Sequence, residues 1–212
     1  MSLPPSEIPL GAMRFNSDSQ KLEYWMGSAW MQIKTFSPNL DGGARGLFLG
    51  GGYPNTQNVI DFITIPTQGN ATDFGDLTTA TILTGGCSSR TRGLAAGDYP
   101  SATNKIDFVT ISSTGNAQDF GDRTTTGYNL GGLSNETRGI FFGGHAPADR
   151  DVIDFVTIAS TGNAVDFGNL LSATHGVIGV ASPTRGVIGG NSTPTNVIQF
   201  VTIGTTGDAV DF

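Results

Sequence analysis

The chain has 212 residues, 11 basic and 18 acidic, for a formal net charge of −7. The single cysteine, Cys87, excludes an intrachain disulfide and a Cys-built zinc or iron–sulfur centre. An acidic balance with only three lysines (Lys21, Lys34 and Lys105) argues against a nucleic-acid partner, whose phosphates demand a basic face.

Glycine is abundant at 31 residues, and charged residues are 14% where about 25% is usual. Glycine costs about 1 kcal/mol per helical position and β-branched residues lose rotamer freedom there, so an all-β fold with many turns is expected. No run of 18 apolar residues occurs, and no membrane insertion is expected. The opening MSLPPSEIPLGAM lacks a basic-then-apolar run and does not read as a secretory signal.

In chain order, residues 1–34 come first as a separate β-hairpin or meander. AMRFN, KLEYWMG and SAWMQI read as strands, with the polar SDSQ as the first turn. Tyr24, Trp25, Met26, Trp30 and Met31 concentrate apolar surface that so small a meander cannot bury alone. They are the expected assembly interface.

Residues 35–212 are dominated by self-similarity. An Arg-Gly pair recurs at Arg45, Arg92, Arg138 and Arg185, in steps of 47, 46 and 47 residues. Each pair opens an apolar strand that runs into glycines. A second strand follows at 58–65, 104–111, 151–158 and 196–203. In the first copy Val59, Asp61, Ile63 and Ile65 alternate with Ile60, Phe62 and Thr64, so both faces are largely apolar, as in a strand covered on both sides. A turn with Gly69, Gly115, Gly162 or Gly207 leads to a short segment ending in Asp-Phe. One more apolar segment lies between units, at 81–86, 127–132 and 175–180. Four short strands per period of about 46 residues match the blade of a β-propeller, and four units predict a small one. A chain that finishes on the last strand of the fourth unit suits a ring, while a β-solenoid or prism satisfies the same period.

The pattern of apolar strand, Gly-Gly, loop, apolar strand, turn and short strand resembles the kelch repeat. Phe74, Phe120, Phe167 and Phe212 stand where kelch blades usually carry Trp. Residues 44–212 are more closely similar to tandem repeats in structural proteins of marine and cyanobacterial tailed phages, which share TRGxFxGG…NxIDYxTIxxTGNAxDFGDLT. Gly11, Arg14, Phe15, Asn16, Asp18, Lys21, Leu22, Glu23, Gly27 and Trp30 match a segment found in phage fibre and other virion proteins. The resemblance implies a virion structural protein, a tail or head fibre or a capsid decoration, made in the host cytoplasm. Its implied partners are other virion proteins and further copies of itself, a trimer by analogy with phage fibres. A free-standing lectin-like glycan-binding module is the alternative.

The loops after each Gly-Gly differ while the strands repeat. Tyr53, Tyr99, His145 and Asn191 stand 46 residues apart in them, and suit stacking and hydrogen bonding to a host-surface glycan or protein. The Asp-Phe-Gly triplets at 73–75, 119–121 and 166–168 match the kinase metal-binding tripeptide, but no phosphate loop or strand lysine accompanies them, and a structural role is expected. Asp61, Asp107 and Asp154, with Gln199 in the fourth copy, suit hydrogen bonding better than a calcium ring, because Gln carries no charge. The four arginines read as a structural pairing made once per blade. The only histidines, His145 and His175, lie far apart in sequence with no Cys partner, so neither a metal site nor a catalytic triad is expected. No enzyme activity and no cofactor are predicted.

Overall fold

The computed structural model describes residues 8–16, 21–33, 44–52 and 54–212, and the chain divides into two compact units, Met1–Asn39 and Leu40–Phe212. Described residues are strand, turn or loop, with no helix, and form five small antiparallel sheets. The all-β expectation from glycine and β-branched content is met.

The first unit is a meander of β1 (Met13–Asn16), β2 (Lys21–Trp25) and β3 (Trp30–Gln32). Alternation sorts its side chains by face. Register pairs Arg14 with Glu23 and Trp25 with Trp30 on one face, and Met13 with Tyr24 and Tyr24 with Met31 on the other. The buried Glu23 carboxylate accepts from Arg14 Nε at 2.9 Å and Asn16 Nδ2 at 3.1 Å. Arg14 also covers the Trp30 ring at 4.2 Å, and Trp30 lies 5.5 Å from Trp25.

The second unit is a series of four sheets. The first holds β4 (Arg45–Gly51), β5 (Gln57–Thr64) and β6 (Thr72–Thr81). The second holds β7 (Gly85–Ser88), β8 (Arg92–Ala96), β9 (Thr103–Thr110) and β10 (Gln118–Gly127). The third holds β11 (Gly131–Ser134), β12 (Arg138–Phe142), β13 (Arg150–Thr157) and β14 (Val165–Thr174). The fourth holds β15 (Ile178–Ala181), β16 (Arg185–Gly189), β17 (Ile198–Thr202) and β18 (Val210–Asp211). Strands in each sheet are neighbours in sequence order, so every connection is a local hairpin.

One expectation changes. The segment after the Gly turn is not short: β6, β10 and β14 are ten residues each, the longest strands of the unit. A bulge before Gly75, Gly121 or Gly168 lets the strand bend and continue past the Asp-Phe pair.

The core lies between sheets. One cluster joins Ile60, Phe74 and Leu77 of the first sheet to Ala95 and Val109 of the second. A second joins Leu94, Ile106 and Phe120 to Phe141, Val156 and Ile158 of the third. A third joins Leu133, Ile140, Ile153 and Phe167 to Ile188, Val201 and Ile203 of the fourth. Each sheet therefore completes its neighbour's core.

The repeated residues make these junctions. Arg45, Arg92 and Arg138 each lie over a Phe ring of their own sheet, at 4.5–4.7 Å, and donate to a carbonyl of the next sheet. The acceptors are Ile111, Ile158 and Ile203 O, at 2.7, 2.9 and 2.9 Å. The next sheet's Gly turn docks on the bulged strand, where Gly115 N–H donates to Phe74 O and Gly162 N–H to Phe120 O, both at 2.7 Å. This contact explains the Asp-Phe-Gly triplets. A Cβ on Gly121 would sit 2.5 Å from the Gly162 carbonyl oxygen, and φ there is +141°. Asp119 Oδ1 accepts from Gly121 N–H at 3.1 Å, and Phe120 packs edge-on to Phe108 at 5.8 Å.

The aspartate series also spans junctions. Asp107 accepts from Thr78 N–H and Oγ1 of the preceding sheet, and Gln199 Oε1 from Leu171 N–H at 2.9 Å. Asp154 accepts from Arg123 Nε at 2.9 Å and from the Thr124 hydroxyl, with Arg123 and Asp154 side chains 1% and 0% exposed. Burial pushes the Arg123 pKa down, and the Asp154 charge and hydrogen bond oppose that shift.

Candidate functional site: a row of rings at one end of the sheets

Four connections on the second unit converge. Tyr99 follows the Gly97-Asp98 turn after β8, and His145 follows the Gly143-Gly144 pair after β12. Tyr128 and His175 open the links from β10 to β11 and from β14 to β15. Tyr128 N–H donates to His145 O at 3.2 Å, and His145 N–H donates back to Tyr128 O at 2.9 Å. Gly144 N–H donates to Thr174 O at 2.9 Å, which brings the His145 loop beside His175. Asn129 turns the chain after Tyr128 at a positive φ of 56°, where Asn tolerates the left-handed region.

The outcome is a row of half-buried rings. Tyr99 to Tyr128 is 5.0 Å between centroids, Tyr128 to His145 is 5.6 Å, and His145 to His175 is 5.1 Å. Asp149 closes the histidine end, with one oxygen, Oδ1, 2.7 Å from His145 Nδ1 and 2.8 Å from His175 Nδ1. The His145 hydrogen bond, followed by a weaker one from His175, holds the Asp149 carboxyl below the usual carboxylate range despite some opposing desolvation. Each Nδ1 donates to Asp149 when it carries the ring proton, and in the tautomer protonated at Nε2 it instead offers a lone pair on the Asp149 side for coordination. Ser192 Oγ lies 3.5 Å from Asp149 Oδ2.

Of the loop residues singled out in the sequence, Tyr99 and His145 stand in this row. Asn191 borders it, but its Oδ1 accepts from Thr174 Oγ1 at 2.5 Å and Thr193 N–H at 3.3 Å, so it shapes its own loop. Tyr53 lies outside the described residues. Sequence reasoning missed Tyr128, His175 and Asp149. A signal existed for two of them: Ile82, Tyr128 and His175 recur at steps of 46 and 47, just as the chosen loop residues do. The separation of the two histidines, taken to exclude a shared site, does not hold in space.

On the first unit, the expected assembly residues divide by face. Trp25 is buried, at 8% exposed, while Trp30, packed against it and under Arg14, is half-buried. The exposed face carries Met13, Phe15, Leu22 and Met31, with Tyr24 half-buried among the same register positions. Met26, just past β2, is 52% exposed.

No protein-family profile matches the chain, and no curated protein matches it significantly.

Proposed function

We propose that the chain is a structural component of a phage virion, a fibre or a head or tail decoration, that displays its second unit outward for contact with a host surface. The observation that carries the reading is the half-buried row Tyr99–Tyr128–His145–His175, set on loops of a rigid sheet scaffold and flanked by Asp149 and Ser192. Aromatic faces beside hydrogen-bonding groups suit the stacked, polar surface of a sugar. The sequence similarity of residues 44–212 to phage tandem repeats supports the same reading. Tyr99→Ala with Tyr128→Ala should leave particles assembled but reduce adsorption to the host. Unchanged adsorption would leave decoration of the shell as the better account, and secretion of the chain free of any particle would favour the lectin-like module.

In this reading the four sheets are kelch-like blades around one axis. A cavity of about 360 Å³ supports it, because Arg45, Ser89, Asn135 and Pro183 line it and come one from each sheet or its turn. No hydrogen bond among the described residues joins the first sheet to the last. Removing residues 204–212 separates the geometries: a closed ring loses its whole cooperative transition, and an open stack keeps most of it.

The first unit is the attachment segment. Met13, Phe15, Leu22 and Met31 form an apolar face too large for so short a meander to cover, and a second copy or a virion protein is its partner. Comparing solution masses of the full chain and of residues 35–212 tests this: the full chain alone should oligomerise, as a trimer if it follows fibre symmetry.

A further inference from the structure

We propose that His145, Asp149 and His175 form a binding site for a divalent transition-metal ion of the zinc class. One ligand atom from each residue lies within 4.8 Å of the other two. The Asp149 Oδ1 contacts, at 2.7 and 2.8 Å, are the edges of a nearly formed coordination shell. Ligands about 2.1 Å from one ion stand about 3.0 Å apart in octahedral geometry and about 3.4 Å in tetrahedral geometry. An ion therefore needs the two edges at Asp149 to open by a few tenths of an ångström. The two imidazoles, whose ligand atoms lie within 4.8 Å of each other, must also turn toward it, a side-chain adjustment open to half-exposed groups. Two imidazoles with one carboxylate select zinc, cobalt, nickel or iron(II) over calcium and magnesium, which want an all-oxygen shell. Three protein ligands leave at least one position for water or for an oxygen brought by another molecule.

The ligands are held before any ion arrives. His145 is fixed by its reciprocal main-chain bonds to Tyr128, and Gly144 by its bond to Thr174 O next to His175. Arg150 closes the intervening loop by donating to Ala146 O, which sets the position of Asp149. Ser192, from the loop after β16, stands behind the second carboxylate oxygen as an outer-shell partner. The three ligands come from two separate loops of the third sheet's ends, so the ion would clamp the β12–β13 loop to the β14–β15 link. The proposal does not depend on whether the ring row contacts a host.

The chain contains two histidines, and both are in the site, which makes the test direct. Full-length, tag-free protein is stripped with chelator and titrated with Zn²⁺ and with Co²⁺ alone. One ion per chain is expected, with a rise in melting temperature and visible absorption from Co²⁺ in a nitrogen–oxygen ligand set. His145→Ala, His175→Ala and Asp149→Asn should each weaken binding at least tenfold, while Asp166→Asn, at an exposed carboxylate away from the site, should not. If a variant does not fold, modification of histidine by diethyl pyrocarbonate decides on the unaltered protein: Zn²⁺ should protect both rings. No saturable binding, wild-type affinity in both histidine variants, or equal modification rates with and without Zn²⁺ would each overturn the site.

Discussion

The junctions of the third sheet with its two neighbours and the outer edges of the first and last sheets carry the same repeated residues with opposite environments. Ile158 is 1% exposed beneath Arg92, while its counterpart Ile65 on the first sheet is 63% exposed. Leu133 is 4% exposed against the fourth sheet, while its counterpart Val180 is 66% exposed. Arg138 donates to Ile203 O; Arg185 has the matching ring, Phe200 at 4.5 Å, without a carbonyl acceptor among the described residues. Each repeat is half of an interface. Its stability is realised only where another sheet supplies the other half, as nearest-neighbour repeat energetics require.

The largest effect should come from breaking the buried ion pair that joins the second sheet to the third. Asp154→Ala leaves the Arg123 guanidinium, 1% exposed, without its counter-charge and should cost about 3–5 kcal/mol in denaturant unfolding. The next junction supplies the remedy. There Leu170 stands where Arg123 does, and Gln199 where Asp154 does. Arg123→Leu with Asp154→Gln together should restore stability to near wild type or above it, because a well-packed apolar replacement avoids desolvating two charges. A double variant as unstable as Asp154→Ala would show that the pair is irreplaceable.

Next in size is the core comparison. Ile158→Ala should cost about 2–5 kcal/mol through lost burial and a residual cavity, and Ile65→Ala less than about 0.5 kcal/mol. Equal losses would mean that the face of Ile65 is covered in solution, as a closed ring or a second copy would cover it. The same logic applies more weakly to the arginines. Arg138→Ala should cost about 1–2 kcal/mol for its carbonyl bond and ring contact, and Arg185→Ala about half of that or less.

The smallest effect concerns Cys87, set among the second and third sheets where its Sγ lies 2.6 Å from the Cβ position of Gly139. Burial pushes its thiol pKa up to about 12. Since the thiolate is the nucleophile, reaction with a thiol reagent at pH 8 should run roughly a hundredfold or more slower in native than in denaturant-unfolded protein. Comparable rates would mean that this junction opens readily.

Much of the architecture was legible. The second strands read at 58–65, 104–111 and 151–158 appear one residue earlier, at Gln57–Thr64, Thr103–Thr110 and Arg150–Thr157, and the fourth, read at 196–203, is the shorter Ile198–Thr202. The reading failed in length for β6, β10 and β14, because the bulge at Gly75, Gly121 and Gly168 interrupts the alternation by which a strand is recognised. In the first unit, Met26 and Met31 of the expected assembly residues are exposed, whereas Trp25 is buried. Trp25 and Trp30 pack on each other, with Arg14 over Trp30, and Met13 and Phe15, which the sequence did not single out for that face, point outward.

The all-β class, the period of 46 or 47 residues, the turns and the recurring positions follow from the chain alone, because they depend on local backbone preference and on alternation along a single strand. Only the tertiary structure decided which copy of a repeated residue is core and which is surface, since that depends on the neighbouring sheet. It alone brought His175 beside the His145–Asp149 loop, because hydrogen bonds between backbones 17 or more residues apart set that distance. No local pattern in the chain encodes such a contact.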